Sequence, residues 1–482
     1  MQRVFFRNLA ILIALNILIK PIWILGIDRT VQNTVGPAAY GLYFALFNLS
    51  FLTQIFLDLG ISSFNNKYLA QYQHELKTYF SRIFTIKILL AAFYFFLTIV
   101  VGFILGHNGF EIKLLSALAL NQILASLILY VRSNISALHY FVVDSLLSVM
   151  DKAIMILLCA ILLFTNSVTS TFSIEWFIGT QTISYIITLL VAIIWLRKHS
   201  GNFRFSFQLN FSKQLLQDCL PFAILIFLMG IYNKTDAVMI ERLLGSHGDE
   251  QAGIYASAYR LLDAMNQFGY LFAALLLPIF SRMISQKQKV DELTKTAFTS
   301  IFFLAWSACL LLYFFRGNIM PLLYQNNTIE SAEVLGYIVF AFIGSSSIYI
   351  FSTLLTANGN LWQLIFIAGG GTVLNLVMNY FFIHQFEAKG AAITCTITQI
   401  SIALTQLILC KNTFSFNLNF KLMLKLLLFC LATILLSLFA GMYHAQWIIS
   451  MGTLAICFAA VAFGLQLFKV EQVLFLLRSK QQ

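Results

Sequence analysis

The chain has 482 residues, of which 60% are hydrophobic, 15% aromatic and only 10% charged, and its formal net charge is +11. Soluble globular domains are about 25% charged, so this chain carries too little charge to cover a water-facing surface. The composition excludes a soluble enzyme, a nucleic-acid-binding protein and a disordered scaffold, and it predicts an all-α polytopic membrane protein.

Apolar segments that could cross a bilayer as helices recur along the whole sequence. A span needs about 20 apolar residues, and about fourteen such segments can be delimited. They lie near residues 8–26, 38–58, 79–105, 113–135, 144–165, 175–196, 219–240, 252–279, 296–315, 334–356, 361–383, 390–410, 425–441 and 447–468. The first follows Arg3 and Arg7 but has no small-residue cleavage site, so it is predicted to be a span rather than a signal peptide. A turn at 358–360 is predicted to separate the tenth segment from the eleventh.

The two halves of the sequence contain matching elements at similar offsets. Each half has a lysine inside a span, an acidic residue followed by arginine, and a Gly-x-Tyr motif that opens the next span. The matches are Lys20 with Lys234, Asp28-Arg29 with Glu241-Arg242, YGLY at 40–43 with AGIY at 252–255, and FSFQLNF at 205–211 with FSFNLNF at 414–420. The common offset predicts a duplicated six-helix unit, with the two copies related by an axis along the membrane normal.

The predicted organisation is therefore two pseudo-symmetric six-helix bundles plus two extra C-terminal helices. The expected boundaries are 1–200 for the N-terminal bundle, 201–218 for a cytoplasmic linker, 219–410 for the second bundle, and 411–482 for a second linker, helices 13 and 14 and a cytoplasmic tail. The loops assigned to the cytoplasm carry most of the Lys and Arg residues. This bias predicts that both termini are cytoplasmic and explains the net charge without a nucleic-acid partner.

Four basic residues lie within the predicted spans, where a charge is costly and usually faces a cavity or a partner. They are Lys20, Lys87, Lys234 and Arg260. Because Lys20 and Lys234 hold matching places in the repeat, we expect both to face one cavity between the two halves. Such a cationic cavity suits an anionic headgroup such as a diphosphate. The alternative is purely structural pairing of Lys20 with Asp28 or Asp58 and of Lys234 with Asp236, or snorkelling of Lys87 and Arg260.

Acidic residues near these lysines have two readings. Asp236 is a candidate proton- or sodium-coupling group or a counter-ion, and Asp28 and Glu241 fall in the same class.

Asn375 and Asn379 share the eleventh segment with a glycine run at 369–371. Lys152 is predicted to lie in the inner interface, and His107 to be solvated in an outer loop.

Chemistry-bearing motifs are absent from the sequence. It has no nucleophile–base pairing, no metal-ligand spacing among its seven cysteines, no phosphate loop and no loop large enough for a soluble catalytic unit. We therefore expect no catalytic residue, no metal, no cofactor and no enzymatic activity.

Four stretches resemble a known family. KPIWILGIDRTVQNTVGPAAYGLYFAL at 20–46, LDLGISSFNNKYLA at 57–70, AGIYASAYRLLD at 252–263 and KGAAITCTITQ at 389–399 are similar to the bacterial O-antigen and capsular polysaccharide flippases. These belong to the multidrug/oligosaccharidyl-lipid/polysaccharide exporter superfamily.

The resemblance implies two bundles forming a V that opens inward or outward by alternating access. It implies transfer of an undecaprenyl-diphosphate-linked oligosaccharide from the inner to the outer leaflet of the bacterial plasma membrane, in O-antigen, lipopolysaccharide or capsule synthesis. Membrane lipids, a polysaccharide polymerase and glycosyltransferases would be the neighbours of such a protein. The family's cavity tends to be cationic, which makes Lys20, Lys87, Lys234 and Arg260 the candidates here.

Two other functions compete with this interpretation. A cation-coupled drug antiporter of the same superfamily would rely on acidic residues inside the bundle, whereas the deep charges here are mainly basic. A membrane-embedded polysaccharide polymerase or ligase would need a large outer loop, and the outer loops here are short.

Overall fold

The computed structural model describes most of the transmembrane part of the chain. The described residues are 16, 18–19, 21–61, 76–138, 140–164, 172–200, 208–414, 416, 420–440 and 446–466. Lys20 lies outside them.

Helices make up almost all of the described chain. A π-helical segment, Ile22–Asp28, precedes α1 (Arg29–Val35), and a 3₁₀ turn, Gly245–His247, lies between α8 and α9. The other helices are α2 (Pro37–Thr53), α3 (Ile55–Asp58), α4 (Leu76–Ile104), α5 (Gly109–Ala137), α6 (Phe141–Phe164), α7 (Ile174–Ser200), α8 (Leu209–Leu243), α9 (Gly248–Ser285), α10 (Asp291–Leu323), α11 (Thr328–Ile338), α12 (Ala341–Ala357), α13 (Leu361–Phe414), α14 (Phe420–Ala440) and α15 (Trp447–Gly464). No strand occurs among the described residues.

The helices fall on the predicted apolar segments. Within the described chain, 11 helical stretches are long and apolar enough to cross a membrane. One of them, α13, has 54 residues and covers both the eleventh and the twelfth predicted segments. It bends at Glu387, whose φ of 52° and ψ of −133° are not helical. The all-α multi-pass fold is thus confirmed, and the count of about fourteen spans holds as an approximation.

The glycine-containing turn between the tenth and eleventh segments is also confirmed. Helix α12 ends at Ala357, and Gly359 has a φ of +85°, which an L side chain rarely adopts. By contrast, residues 369–371 lie within uninterrupted helix. A Cβ at Gly369 would meet only Leu228 at 3.9 Å, and one at Gly370 would meet nothing within 4 Å. Gly369 and Gly370 therefore do not serve close packing between helices.

Two compact units can be separated by their internal contacts. One comprises residues 1–257 and 368–391, and the other comprises 258–367 and 392–482. In the first unit, Phe80 stacks on Tyr130 within a buried cluster that also includes Ile83 and Val131. In the second, Leu310 of α10 packs with Leu454 and Phe458 of α15. The predicted bundle boundaries at 200 and 219 stay a prediction.

The Gly-x-Tyr motifs of the two halves meet inside the first unit. A Cβ on Gly41 would overlap the Asp249 carbonyl oxygen and lie 2.5 Å from the Gly253 nitrogen. A Cβ on Gly253 would overlap the Pro37 carbonyl oxygen. The buried Gln32 side chain donates to the Gly253 carbonyl oxygen at 2.9 Å. The two glycines therefore allow α2 and α9 to approach backbone to backbone.

Gly41→Ala should destabilise the protein by about 1–3 kcal/mol, because an added methyl group must push two backbones apart. Thermal unfolding of the purified protein in detergent measures this. Gly179→Ala in α7 is the matched control, since a Cβ there meets nothing within 4 Å. Equal melting temperatures for the two variants would contradict the close approach.

Candidate substrate-binding site

Lys234 lies deep within a span. It is the sixteenth residue of the apolar stretch Cys219–Leu243, so at 1.5 Å per residue it is about 22 Å from the N-terminal end of that stretch and about 14 Å from its C-terminal end. Its side chain is half-buried, and its amine lies 5.7 Å from the centre of the Phe51 ring. This distance is within the range of a cation–π interaction, so Phe51 of α2 helps to hold the amine in place.

Lys87 is a buried lysine that forms an ion pair with Asp58. Its amine lies 2.5 Å from an Asp58 carboxylate oxygen and 3.0 Å from the Ser126 hydroxyl, and its side chain is only 1% exposed. The Tyr130 ring covers it at 5.7 Å. Asp58 therefore pairs with Lys87, and the predicted pairing of Lys20 with Asp28 or Asp58 stays a prediction, because Lys20 lies outside the described residues. An amine held in this way stabilises helix packing and offers no free face to a substrate.

Arg260 belongs to the second unit and has a looser partner. One guanidinium nitrogen lies 3.7 Å from Asp263, one turn further along α9, and the Arg260 side chain is 12% exposed. A contact this long is an ion pair without a short hydrogen bond.

Asp236 is the centre of a buried polar cluster formed by three helices. Its carboxylate accepts hydrogen bonds from the Tyr255 hydroxyl at 2.7 Å, from the Asn375 amide at 3.0 Å and from the Asn379 amide at 2.7 Å. The residue is 1% exposed. The sequence singled out Asp236 and both asparagines separately, and the structure brings them together. Ion coupling and charge balance both stay predictions for Asp236.

Asp28 has an analogous partner in the N-terminal half. It closes the π-helical segment, is 1% exposed, and accepts a hydrogen bond from the Tyr40 hydroxyl at 2.7 Å. A tyrosine at or beside the Gly-x-Tyr motif thus engages a buried aspartate in each half, at positions that do not match in the repeat: Tyr40, which precedes Gly41, with Asp28, and Tyr255 of the motif with Asp236. In both halves of the sequence a tyrosine follows an aspartate at a short distance, and this feature could have predicted the two pairs.

Glu241 lies in a charged cluster at the end of α8. The Arg242 side chain is 2.7 Å from Glu241 and 3.3 Å from Glu111, and it donates to the Leu105 carbonyl oxygen at 3.0 Å. It also contacts the His107 ring, which is 2.7 Å from Glu111. The prediction of a solvated His107 is therefore wrong. The residue is 6% exposed, because contacts with Arg242 hold its loop against α8.

This cluster is also the one described group of His, Cys, Asp and Glu compact enough to hold a metal ion. The ligand atoms of His107, Glu111 and Glu241 lie within 4.8 Å of one another. However, the Arg242 guanidinium already contacts all three. A cation at that position neutralises the carboxylates, so the cluster acts as an ion-pair network that joins the α4–α5 loop to α8.

Lys152 was expected in the inner interface, and the structure places it elsewhere. It is the twelfth of the 24 residues of α6, at the middle of a span. Its amine lies 3.3 Å from the Tyr185 hydroxyl and 5.3 Å from the centre of the Trp23 ring. The predicted segment starts at 144, whereas α6 begins at Phe141 and its apolar stretch begins at Val142. Lys152 therefore lies deeper in the span than its distance from the predicted start indicated.

The comparisons with known proteins agree with this architecture. A family model described as "Polysaccharide biosynthesis protein" matches residues 5–284. The chain belongs to this family. A search among curated proteins found no relative of similar sequence.

Solved structures share the fold across most of the chain. The lipid II flippase MurJ in an inward closed conformation is 14% identical, with a TM-score of 0.69, and the match covers 94% of this chain and 99% of MurJ. An inward-facing multidrug resistance transporter of the MATE family and the MOP superfamily is 16% identical, with a TM-score of 0.65 over 81% of this chain and 94% of its own. A MOP superfamily transporter from Pyrococcus furiosus, whose binding pocket is described as reversed in polarity, is 15% identical, with a TM-score of 0.60 over 85% and 95%.

Asp58→Asn should destabilise the protein more than Lys87→Met does. The first variant leaves a fully buried ammonium without its carboxylate, a loss of about 3–5 kcal/mol. The second leaves Asp58, which is 25% exposed and can be hydrated. Thermal unfolding midpoints in detergent compare the two variants. A larger loss of stability in Lys87→Met would contradict the burial of the Lys87 ammonium.

Acid should weaken the network around His107. Burial lowers the pKa of His107 below its ordinary 6.5, and the Arg242 charge lowers it further, against the hydrogen bond that His107 donates to Glu111, which raises it. The folded state therefore favours the neutral ring, so stability is complete above about pH 6.5 and falls as the pH drops through the lowered pKa.

His107→Gln should remove part of this loss between about pH 7.5 and pH 5.5, as measured by thermal unfolding. The exposed His247→Gln is the control. A His107→Gln variant with the parent's full pH dependence would exclude this histidine as the titrating group.

Proposed function

We propose that the protein is a flippase that moves an undecaprenyl-diphosphate-linked oligosaccharide, an O-antigen or capsule repeat unit, from the inner to the outer leaflet of the bacterial inner membrane by alternating access. The observation that carries the proposal is the family match: a polysaccharide biosynthesis protein with a multi-pass fold like that of a lipid II flippase. Polysaccharide assembly on a lipid carrier requires transfer of a polar headgroup across the bilayer, and a protein of this architecture is suited to it.

The energetics of Lys234 support an anionic passenger. A lysine at the centre of a span costs at least about 2.5–3.5 kcal/mol, so it persists where it has a function or a partner. A diphosphate offers several oxygens that accept charge-assisted hydrogen bonds from an ammonium group. Phe51 lies within cation–π distance of the Lys234 amine and helps to position it.

The candidate cationic set changes once the contacts are known. Lys87 leaves the set because Asp58 and Ser126 surround its amine. Lys234 and Arg260 stay in it, and Lys20 stays as a prediction from its matching place in the repeat. We propose Lys234 as the main diphosphate contact.

Drug antiport is less well supported. A cationic drug needs an accessible carboxylate inside the protein, and the Asp236 carboxylate is buried and already accepts three hydrogen bonds from neutral donors. The MATE-like fold alone does not favour this activity, because one fold serves many substrates.

The same proposal places both termini in the cytoplasm. It also makes glycosyltransferases and a polymerase the neighbours of this protein. The positive charge of the loops supports the orientation. Synthesis of the repeat unit on the inner face and its polymerisation on the outer face are the reactions that must precede and follow the transfer.

Lys234→Ala should reduce surface glycan at least about tenfold in a strain that lacks its own flippase, because one charge-assisted contact is worth about 1.5–3 kcal/mol. The lipid-linked intermediate should accumulate at the same time. Lys234→Arg should retain part of the activity, since it keeps the charge.

Lys289→Ala, at an exposed loop position, is the matched control and should behave as the parent does. Membrane fractions verify that each variant inserts. Normal glycan with Lys234→Ala would remove Lys234 from the site, and failure of the parent chain to restore glycan in strains with different repeat units would overturn the flippase proposal.

A further inference from the structure

A groove between α6 and α7 lies on the lipid-facing side of the first unit. Its volume is about 580 Å³, within the range of about 300–1,000 Å³ that is typical of pockets for small ligands. Helix α6 contributes Leu158, Ile161 and Leu162 to its apolar lining. Ile161 and, on the α7 side, Ile183 are 53% and 49% exposed, so the groove is open to the bilayer. An occupant of this groove therefore comes from the bilayer.

The groove exists because α7 has a glycine where a side chain would fill the space. Gly179 lines the groove, and a Cβ at that position would meet nothing within 4 Å. The next residue, Thr180, is buried, and its hydroxyl lies 3.2 Å from the Cys159 sulfur of α6. This contact joins the two helices at the floor of the groove.

Two opposite charges lie at one end of the groove. The Lys113 amine of α5 is 3.2 Å from a Glu175 carboxylate oxygen of α7, and both residues line the groove. Lys113 is the fifth residue of the apolar stretch Gly109–Ser136, and Glu175 is the second of Ile174–Lys198. Their side chains are 74% and 44% exposed, and an ion pair this exposed is weak. It can therefore open at little cost and let each charge bind a group of opposite sign.

The dimensions of the groove match one leaflet of the bilayer. Trp176, which also lines the groove, is 52% exposed near the end of its span, where tryptophan marks the level of the lipid headgroups. From Glu175 to Ile183 the helix advances about 12 Å, at 1.5 Å per residue. One leaflet contributes about half of the roughly 30 Å hydrocarbon core. The groove thus runs from headgroup level through most of one leaflet, as an acyl chain does.

The charged end favours a headgroup that carries both signs. A phosphate accepts charge-assisted hydrogen bonds from the Lys113 ammonium, and a primary ammonium group donates them to the Glu175 carboxylate. Such a headgroup replaces one weak ion pair with two contacts. A headgroup with a phosphate and no cation would bring a like charge to Glu175, and a trimethylated amine has no N–H to donate.

We infer that the groove between α6 and α7 binds one phospholipid whose headgroup joins a phosphate to a primary ammonium group, as in phosphatidylethanolamine. Its phosphate contacts Lys113, its ammonium group contacts Glu175, and one acyl chain lies in the groove beside Gly179. With the proposed orientation of the chain, the site faces the outer leaflet. This lipid is a bound partner and not the cargo, so the inference does not depend on the proposed function.

Native mass spectrometry of the full-length protein in detergent tests the headgroup preference. The probes are three phospholipids with identical acyl chains and phosphoethanolamine, phosphocholine or phosphoglycerol headgroups. The parent should bind the phosphoethanolamine lipid about fivefold more tightly than the other two, the value of one exposed ionic contact. Glu175→Gln should remove that preference, and Lys113→Gln should weaken the binding of all three lipids.

Two further variants separate the groove from general effects on the protein. Gly179→Leu fills the groove and should abolish the tight binding, while its thermal unfolding in lipid-free detergent matches that of the parent. Lys295→Gln is the matched control, because it removes the lysine of another part-exposed ion pair, Lys295–Asp291, that is not part of the groove. This variant should bind all three lipids as the parent does.

A second measurement locates the lipid. Phosphatidylethanolamine with a photoreactive group in its acyl chain should label peptides that contain residues 158–162 or 179–183, and Gly179→Leu should lose this labelling. Equal affinities of the parent for the three lipids, a headgroup preference that survives Glu175→Gln, or labelling confined to other helices would overturn the inference. A parent chain that binds the lipid as described but restores no surface glycan would contradict the proposed function alone.

Discussion

The cost of a charge in the membrane organises this protein more than any other constraint. Few charges enter the spans, and those that do lie against specific partners. Lys87 meets a carboxylate at 2.5 Å, and Asp236 accepts three hydrogen bonds. The described helices therefore carry buried charges that neighbouring side chains satisfy within the protein.

Apolar length and loop chemistry were enough to anticipate the fold. Long hydrophobic segments must be helices in a bilayer because each backbone amide needs a partner within its own segment. The turn around Gly359 was readable from local composition. The bend at Glu387 lies between the predicted eleventh and twelfth segments, which end at 383 and begin at 390, but the sequence did not show that helix α13 reaches it from both sides.

The candidate site could be predicted only in part from the sequence, for a different reason. Sequence shows that a lysine lies within a span but not which side of the helix its neighbours cover. Lys87 was predicted within a span and Lys152 in the inner interface, yet both lie within helices: Lys87 is enclosed by Asp58 and Ser126, and Lys152 lies beside two aromatic rings. His107 was misread for the same reason, because its partner Arg242 is 135 residues away along the chain. Long-range partners of this kind become visible only once the helices are packed.

The meeting of α2 and α9 at Gly41 and Gly253 has a consequence for how such a protein can diversify. Where two helices touch through main-chain atoms, the junction is independent of which side chains surround it. Residues elsewhere on these helices can then change in size and charge while the scaffold keeps its alignment at that point, provided that the two glycines and the Gln32 hydrogen bond to Gly253 are kept.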